Sequence, residues 1–394
     1  FPSGGVAWRI SEEKFFGKRE WLNSLKLRAS YGAVGNSAID PYQTIAGLSK
    51  YDYLFGEDAS NKFFAYRPSM IPNKDLGWKI SRTANFGVDF GLWNNRISGY
   101  IEGYITKTSD LLMERTLPFF TGFSKVWQNI GKTENKGIEL NIQANTLKTK
   151  SFSWETTVTF ARNWNKITEL LGGGDIRNNS WFIGKPLQVH YNYEMIGVWQ
   201  LGEEKEAQKY GAIPGDIKVK DQNNGGSIGE LDKVILGQKD PKIIASLLNS
   251  FRFGAFDASI NLNMNFGSLI HPNTYASLIT RDGLRWMPSN FKYWTPDNPT
   301  NEYTRADKLS GYDPFAGTGG YMKGDYIKIQ DITLGYDFSK IMPKNWKILR
   351  ARLYAQVRNL GYIYKACKND VSPEAPDFDY NIPTTYTMGI NIDF

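Results

Sequence analysis

One cysteine, Cys367, and two histidines, His190 and His271, are scarce material for metal or redox chemistry in 394 residues. A single cysteine excludes an intrachain disulfide and leaves the compartment open. The histidines stand far apart in sequence, and no zinc spacing, nucleophile elbow or phosphate-binding glycine loop accompanies them. Gly172, Gly173 and Gly174 lack the Lys-Ser/Thr that a phosphate cradle needs, so they read as a loop. Acids are plentiful, but none forms a recognisable catalytic pair, and no enzyme is expected. Lysine and arginine outnumber the acids by 47 to 40, yet the two signs are interleaved. Without a basic block, no nucleic-acid partner is expected. No signal peptide opens the chain, as holds for any mature secreted protein.

Long apolar runs are missing too. The longest, Ile243 to Leu248, is interrupted by Ser246. A transmembrane helix needs roughly 20 apolar residues. A membrane protein of this composition must therefore cross with strands, where only alternate residues face lipid. The mean hydropathy of -0.44 is compatible with that.

Alternation is what the chain has in abundance. Phe256, Ala258, Ile260, Leu262, Met264 and Phe266 alternate with Asp257, Ser259, Asn261, Asn263 and Asn265. Phe86, Val88, Phe90 and Leu92 follow the same rule, as do Ile138, Leu140 and Ile142, and Leu349, Ala351, Leu353, Ala355 and Val357. Successive strand side chains point to opposite faces, so each segment has one apolar and one polar face. The segments run about ten residues, the length of a tilted membrane-crossing strand. The chain closes the same way: Tyr386, Met388, Ile390, Ile392 and Phe394 share a face, and the aromatic is last. Such a strand closes a sheet that must leave no free edge in lipid, and it is the candidate assembly signal.

Short connections (93–95, 147–150, 254–255) alternate with long ones (36–79, 110–133, 201–243, 268–324, 361–383), the arrangement of outer-membrane barrels. Counting strands from both ends agrees only if another strand lies between 166 and 188. Ile176 to Ile183, followed by a turn at 184–186, is the expected strand. The total is then about 13 strands, and the even count of bacterial barrels points to missing N-terminal sequence. A short helix is expected at 202–210.

Several segments, in order, carry a family resemblance: LKLRASYGAVGN (25–36), NKDLGW (73–78), TSDLL (108–112), NIG (129–131) with NKGIEL (135–140), PGDI (214–217), WTPDNP (294–299), YIKIQDITLGY (326–336) and the closing strand. Together they resemble the SusC/RagA family of TonB-linked outer-membrane transporters over nearly the whole chain. The fold class expected is all-β, a transmembrane antiparallel barrel, with residues 1–394 as the C-terminal part of a 22-stranded barrel closed by a plug. The resemblance places the plug, the TonB contact and the first strands outside these residues. It implies a SusD-like surface lipoprotein as lid, the TonB complex and outer-membrane lipid as partners, and an oligosaccharide or oligopeptide, glycan or peptide, as ligand. The rivals are a passive or structural barrel and a secreted β-rich binding module. The apolar face Phe256, Ile260, Leu262, Met264 and Phe266 disfavours the module, since a soluble core would need a second sheet to cover it.

In a barrel, Asn261, Asn263 and Asn265 would line the lumen with neutral amides, and Arg350, Arg352 and Arg358 with charge. Those arginines are expected to pair with plug acids. Trp181, Trp286, Tyr293, Trp294, Tyr303 and Tyr312 are the loop aromatics that could stack on a substrate, although strand-end aromatics also form interfacial girdles. Asp221, Asn223 and Asp232 resemble a Ca²⁺ loop, D-x-N-x-D-G-x-I-x-x-x-D. Gly225 at the fifth position and Asp rather than Glu at the twelfth weaken it. The alternative there is a Gly/Asn turn.

Overall fold

The structure is a computed structural model. It describes residues 1–393 except 18, 38–43, 46, 55–61, 124, 130, 281–290, 306–314, 316, 344–347, 369–370 and 378–381. Trp286, Tyr312 and Phe394 therefore lie outside the described residues.

The chain runs through β1 (Ser3–Arg9), β2 (Leu22–Asn36), a hairpin of β3 (Leu48–Leu54) and β4 (Lys62–Pro68), then β5 (Lys79–Leu92) and β6 (Ile97–Ser109). A hairpin of β7 (Leu112–Thr116) and β8 (Lys125–Asn129) precedes β9 (Lys132–Lys148) and β10 (Phe152–Glu169). The longest excursion holds β11 (Val189–Asn192), β12 (Met195–Val198), α1 (Glu204–Lys209), β13 (Ile217–Val219) and β14 (Val234–Gln238). After β15 (Ile243–Phe253) and β16 (Phe256–Phe266) come β17 (Leu269–Ile270), α2 (Asn273–Thr280) and β18 (Met322–Lys323). The last strands are β19 (Tyr326–Asp337), β20 (Arg350–Lys365) and β21 (Thr385–Asp393). Eleven strands form one sheet in the order β1-β2-β5-β6-β9-β10-β15-β16-β19-β20-β21. The remaining strands pair two by two within the long connections.

The expected strand at 176–183 is not there. A 3-10 turn, Arg177–Asn179, occupies it, with isolated bridges at Ile176, Trp181 and Ile183. The Asp175 carboxylate accepts the Ile183 N–H at 2.8 Å and closes this segment on itself. Strands β11 and β12 pair with β14 and β13, so 170–242 is one long connection, and β10 pairs directly with β15. Counting from both ends then agrees without an extra strand, and among the described residues the main sheet has eleven strands, not about 13. The helix expected at 202–210 is α1, while α2 is not legible as a helix in the sequence.

The chain divides into two compact units. Unit 1 comprises Phe1–Asn94, Tyr100–Glu139 and Asn163–Leu187; unit 2 comprises Asn95–Gly99, Leu140–Arg162 and Gln188–Phe394.

In unit 1, register places Val6, Trp8, Leu25, Leu27, Ala29, Phe86, Val88 and Phe90 on one face of β1, β2 and β5. Lys26, Arg28, Ser30, Asn85 and Asp89 stand on the other. Arg28 bridges Asp89 at 2.9 Å and Glu102 at 3.2 Å, and Lys26 reaches Asp89 at 3.2 Å.

In unit 2 the same separation runs across six strands. Phe152, Trp154, Val158 and Phe160 on β10 meet Phe253, Phe251, Leu247 and Ala245 on β15. Those meet Phe256, Ala258, Leu262 and Met264 on β16, and the band continues through Ile332, Leu334 and Tyr336, then Val357, Ala355 and Leu353. It ends on Tyr386, Met388 and Ile390 of β21. This band is not a core: Phe256 is 61% exposed, Leu334 59% and Met388 78%. In water, burying such side chains is worth about 1.5–3 kcal/mol each, so a bare apolar band of this extent belongs in an apolar solvent. Beside the short turns it carries aromatics, Trp154 stacked on Phe251 at 5.8 Å and Phe256 edge-on to Tyr336 at 4.7 Å. Amphipathic rings at strand ends are what a membrane interface favours.

Candidate functional site

Polar side chains on the opposite face pair across strands, although the buried Asn261 Oδ1 has no hydrogen-bond partner among the described residues. In unit 2, Asn261 donates to Asp331 at 3.1 Å, Asn263 to Gln330 at 3.3 Å and Asn265 to the Tyr326 hydroxyl at 2.6 Å. Thr159 and Ser246 share a hydrogen bond of 2.6 Å. In unit 1, Ser81 pairs with Thr108 and Thr83 with Thr106, both at 2.9 Å. The arginines find acids on neighbouring strands. Arg352 donates to Asp257 at 2.8 Å, Arg350 lies 3.5 Å from Asp337, and register sets Arg358 opposite Asp331. Arg350 and Arg352 thus have in-sheet partners in the place where the sequence suggests plug acids.

The long connections fold back with polar staples of their own. In unit 1, Asn129 accepts the Gly77 N–H at 2.7 Å and donates to the carbonyls of Gly77 and Asp110, joining the NKDLGW, TSDLL and NIG segments. In unit 2, Gly215 of the PGDI segment packs under Trp294. A Cβ there would come within 2.6 Å of both Trp294 Cε3 and Arg305 Cβ, and its φ of +92° also demands glycine. Arg305 donates to Asp216 at 2.8 Å. Trp294 is buried, and its indole N–H donates to Gln200 at 2.8 Å, so it supports the loop and offers no open ring face.

Tyr293 and Tyr303 are half-buried in a ring cluster with Phe291 and Tyr275, Tyr303 lying 5.0 Å from Phe291 between centroids. Trp181, also half-buried, bridges Ile176. On β21, Tyr386, Met388, Ile390 and Ile392 all stand exposed on the apolar band. The carboxylates at the Ca²⁺-like loop accept amides of the loop itself. Asp221 takes the N–H groups of Gly225 and Gly226, Asn223 that of Gly225, and buried Asp232 those of Gln222 and Gly229. Desolvation opposes the Asp221 charge, but the amides of Gly226 and Gly225 outweigh it and hold this carboxyl below the usual range. Among the described residues no group of three His, Cys, Asp or Glu side chains could hold a metal ion.

Two clusters escape sequence reasoning. The chain's two histidines meet around Tyr321, whose ring lies 5.1 Å from His190 and 4.1 Å from His271 between centroids. His190 Nε2 bonds the Leu269 carbonyl at 2.9 Å. Burial pushes its pKa down to about 4, helped by Lys239 and His271 and opposed by that carbonyl. The second cluster sits on the polar face, where Lys328, 3% exposed, reaches Glu374 at 2.6 Å. Tyr362 donates to the same Glu374 oxygen at 2.7 Å, and Tyr326 to its other oxygen at 3.4 Å. Glu374 comes from the β20–β21 connection, which also caps α2 through Asp377 and packs Val371 against Tyr275. No signal in the sequence links positions 328 and 374.

A sheet with one lipid-type face, one polar face, short turns and long folded excursions is an outer-membrane barrel surface. Residues 1–360 match the family model described as TonB dependent receptor-like, beta-barrel. The chain belongs to that family. It is 29% identical to TonB-dependent receptor P26 of Formosa agariphila, over 100% of this chain and 42% of the relative. It is 28% identical to TonB-dependent receptor SusC of Bacteroides thetaiotaomicron, over 100% of this chain and 40% of the relative. The solved RagAB peptide transporter superposes with a TM-score of 0.77 at 23% identity, covering 100% of this chain and 43% of that one. The chain thus spans about two fifths of the relatives it matches. The matched proteins are receptors and transporters, not enzymes, and the chain is an outer-membrane β-barrel protein.

Proposed function

We propose that this chain is the C-terminal barrel segment of a TonB-dependent importer that carries oligosaccharides or oligopeptides across the outer membrane. The apolar band with a polar face behind it, paired across strands, carries the reading, because it gives the strands a lipid side and a water side. On this reading Asn261, Asn263, Asn265, Arg350, Arg352 and Arg358 line the water-filled side. The plug and first strands lie in the part of the protein that the relatives have and these residues do not include. A SusD-like lipoprotein closes the outer mouth over the folded excursions. Ligand is captured under that lid, TonB pulls on the plug, and no covalent bond changes. The likeness to a peptide transporter supports oligopeptides within this class.

Uptake of labelled oligopeptides and oligosaccharides by cells with and without functional TonB tests the proposal. Uptake that requires both this protein and TonB is the expected result. Uptake that persists without TonB would overturn it in favour of passive diffusion.

A further inference from the structure

Within unit 1, the β7–β8 hairpin and the segment after β10 flank an open cavity of about 700 Å³. Its walls include Leu117, Pro118, Leu171 and Ile176, and two arginines, Arg115 and Arg177, line it. The Asn179 side chain holds the two walls together by donating to the Glu114 carbonyl at 3.3 Å. That volume falls within the range of small-ligand sites, roughly 300–1,000 Å³, which combine apolar walls with a few convergent polar groups.

Two guanidiniums and one carboxylate, Asp175, line this cavity, which leaves an excess of positive charge. Both arginines are exposed, and neither meets a carboxylate among the described residues. Asp175 accepts the Ile183 N–H at the cavity wall, and Glu114 beside the cavity holds Lys125 at 2.6 Å. A guanidinium presents a planar fork of donors that matches a carboxylate in two parallel hydrogen bonds.

Resting on the import reading above, we infer that Arg115 and Arg177 form an anion subsite that selects carboxylate-bearing oligomers. Leu117, Pro118 and Leu171 receive the apolar part of the same ligand. The shared chemistry is the carboxylate, which an acidic peptide and a uronic-acid oligosaccharide both carry.

The full-length protein, purified from its own membranes, is titrated with two pairs of labelled probes at low salt. One pair is an N-acetylated, C-amidated Gly-Glu hexapeptide and its equally blocked Gly-Gln counterpart; the other is an oligogalacturonate and its methyl ester. The expected result is that one acid binds roughly tenfold more tightly than its neutral partner, a difference of about 1.4 kcal/mol. Which acid shows the preference identifies the source of the carboxylate. Arg115→Gln with Arg177→Gln abolishes the preference and keeps the affinity for neutral probes. Both side chains are exposed, so heat-modifiable mobility is unchanged, and raising salt on the unmodified protein erodes the preference independently of folding.

Equal affinity for acid and neutral probes overturns the subsite, as does a preference that survives in the double variant or the absence of binding by either acid. Those outcomes leave TonB-dependent uptake as it is, whereas the import reading fails in the uptake assay alone.

Discussion

Removing the Glu374 charge tests how the β20–β21 connection is held to the polar face. The Lys328 side chain is 4% exposed and that of Glu374 is 21% exposed. Breaking a fully buried pair from one side costs about 3–5 kcal/mol, because the remaining charge is left without a partner. Here Glu374 is partly solvated, and glutamine keeps an acceptor for the Tyr362 hydroxyl, so Glu374→Gln should cost about 2–3 kcal/mol. Lys328→Met should cost a similar amount. The two together should cost about 1 kcal/mol, since no charge then remains to be desolvated. Amide hydrogen exchange over 371–377 reads the effect locally, and each single variant should exchange roughly 30- to 150-fold faster. The midpoint of heat-modifiable mobility reads it globally. A double variant that loses the sum of the two singles would refute the reasoning, because side-chain packing and not charge pairing would then hold the strap.

Leu262→Arg places a charge in the lipid-facing band at roughly +2–4 kcal/mol near the bilayer midplane, while Asn263→Arg points to the wet side; equal losses of folded barrel on a gel would sink the facing assignment. His190 stays neutral in the folded protein down to about pH 4, whereas the unfolded chain gains its proton near 6.5. Between those values the unfolded state binds the extra proton, so stability falls as pH drops from about 6.5 to 4 and is untouched above. At a half-buried site this amounts to about 1–2 kcal/mol, read as exchange of β11 amides, and His190→Gln should flatten the profile. Gly215→Val drives a side chain into Trp294 and Arg305, and quenching of buried tryptophan fluorescence by iodide should rise; an unchanged quenching curve would contradict the packing.

The facing of the strands is readable because period-2 alternation survives wherever one side is apolar. Leu262 and Asn263 declare their sides by chemistry alone. The extra strand expected at 176–183 fails for a local reason. Ile176, Trp181 and Ile183 look like strand residues, but Gly172 and Gly173 turn the chain and Asp175 binds the Ile183 amide. Strands β11 to β14 are equally β-prone, yet they pair only within the excursion, which pattern cannot foresee. Helix α2 stays hidden because its cap, Asp377, comes from a connection 104 residues further on. Trp294 looks like a surface ring in sequence, and its burial depends on Gly215, about eighty positions away. The histidine cluster and the Lys328–Glu374 pair are products of tertiary folding, and neither residue in each pair marks the other in sequence.

The cross-strand pairs on the polar face have a consequence for anything moving past them. Asn261 with Asp331, Asn265 with Tyr326 and Thr159 with Ser246 have already turned hydrogen-bonding capacity toward each other. A hydrated oligomer sliding along such a wall finds fewer groups free to grip it, and each lateral step breaks little. Passage requires that attachment be weak enough to release. On the import reading, the strands provide a slippery conduit and leave discrimination to the folded excursions at its mouth.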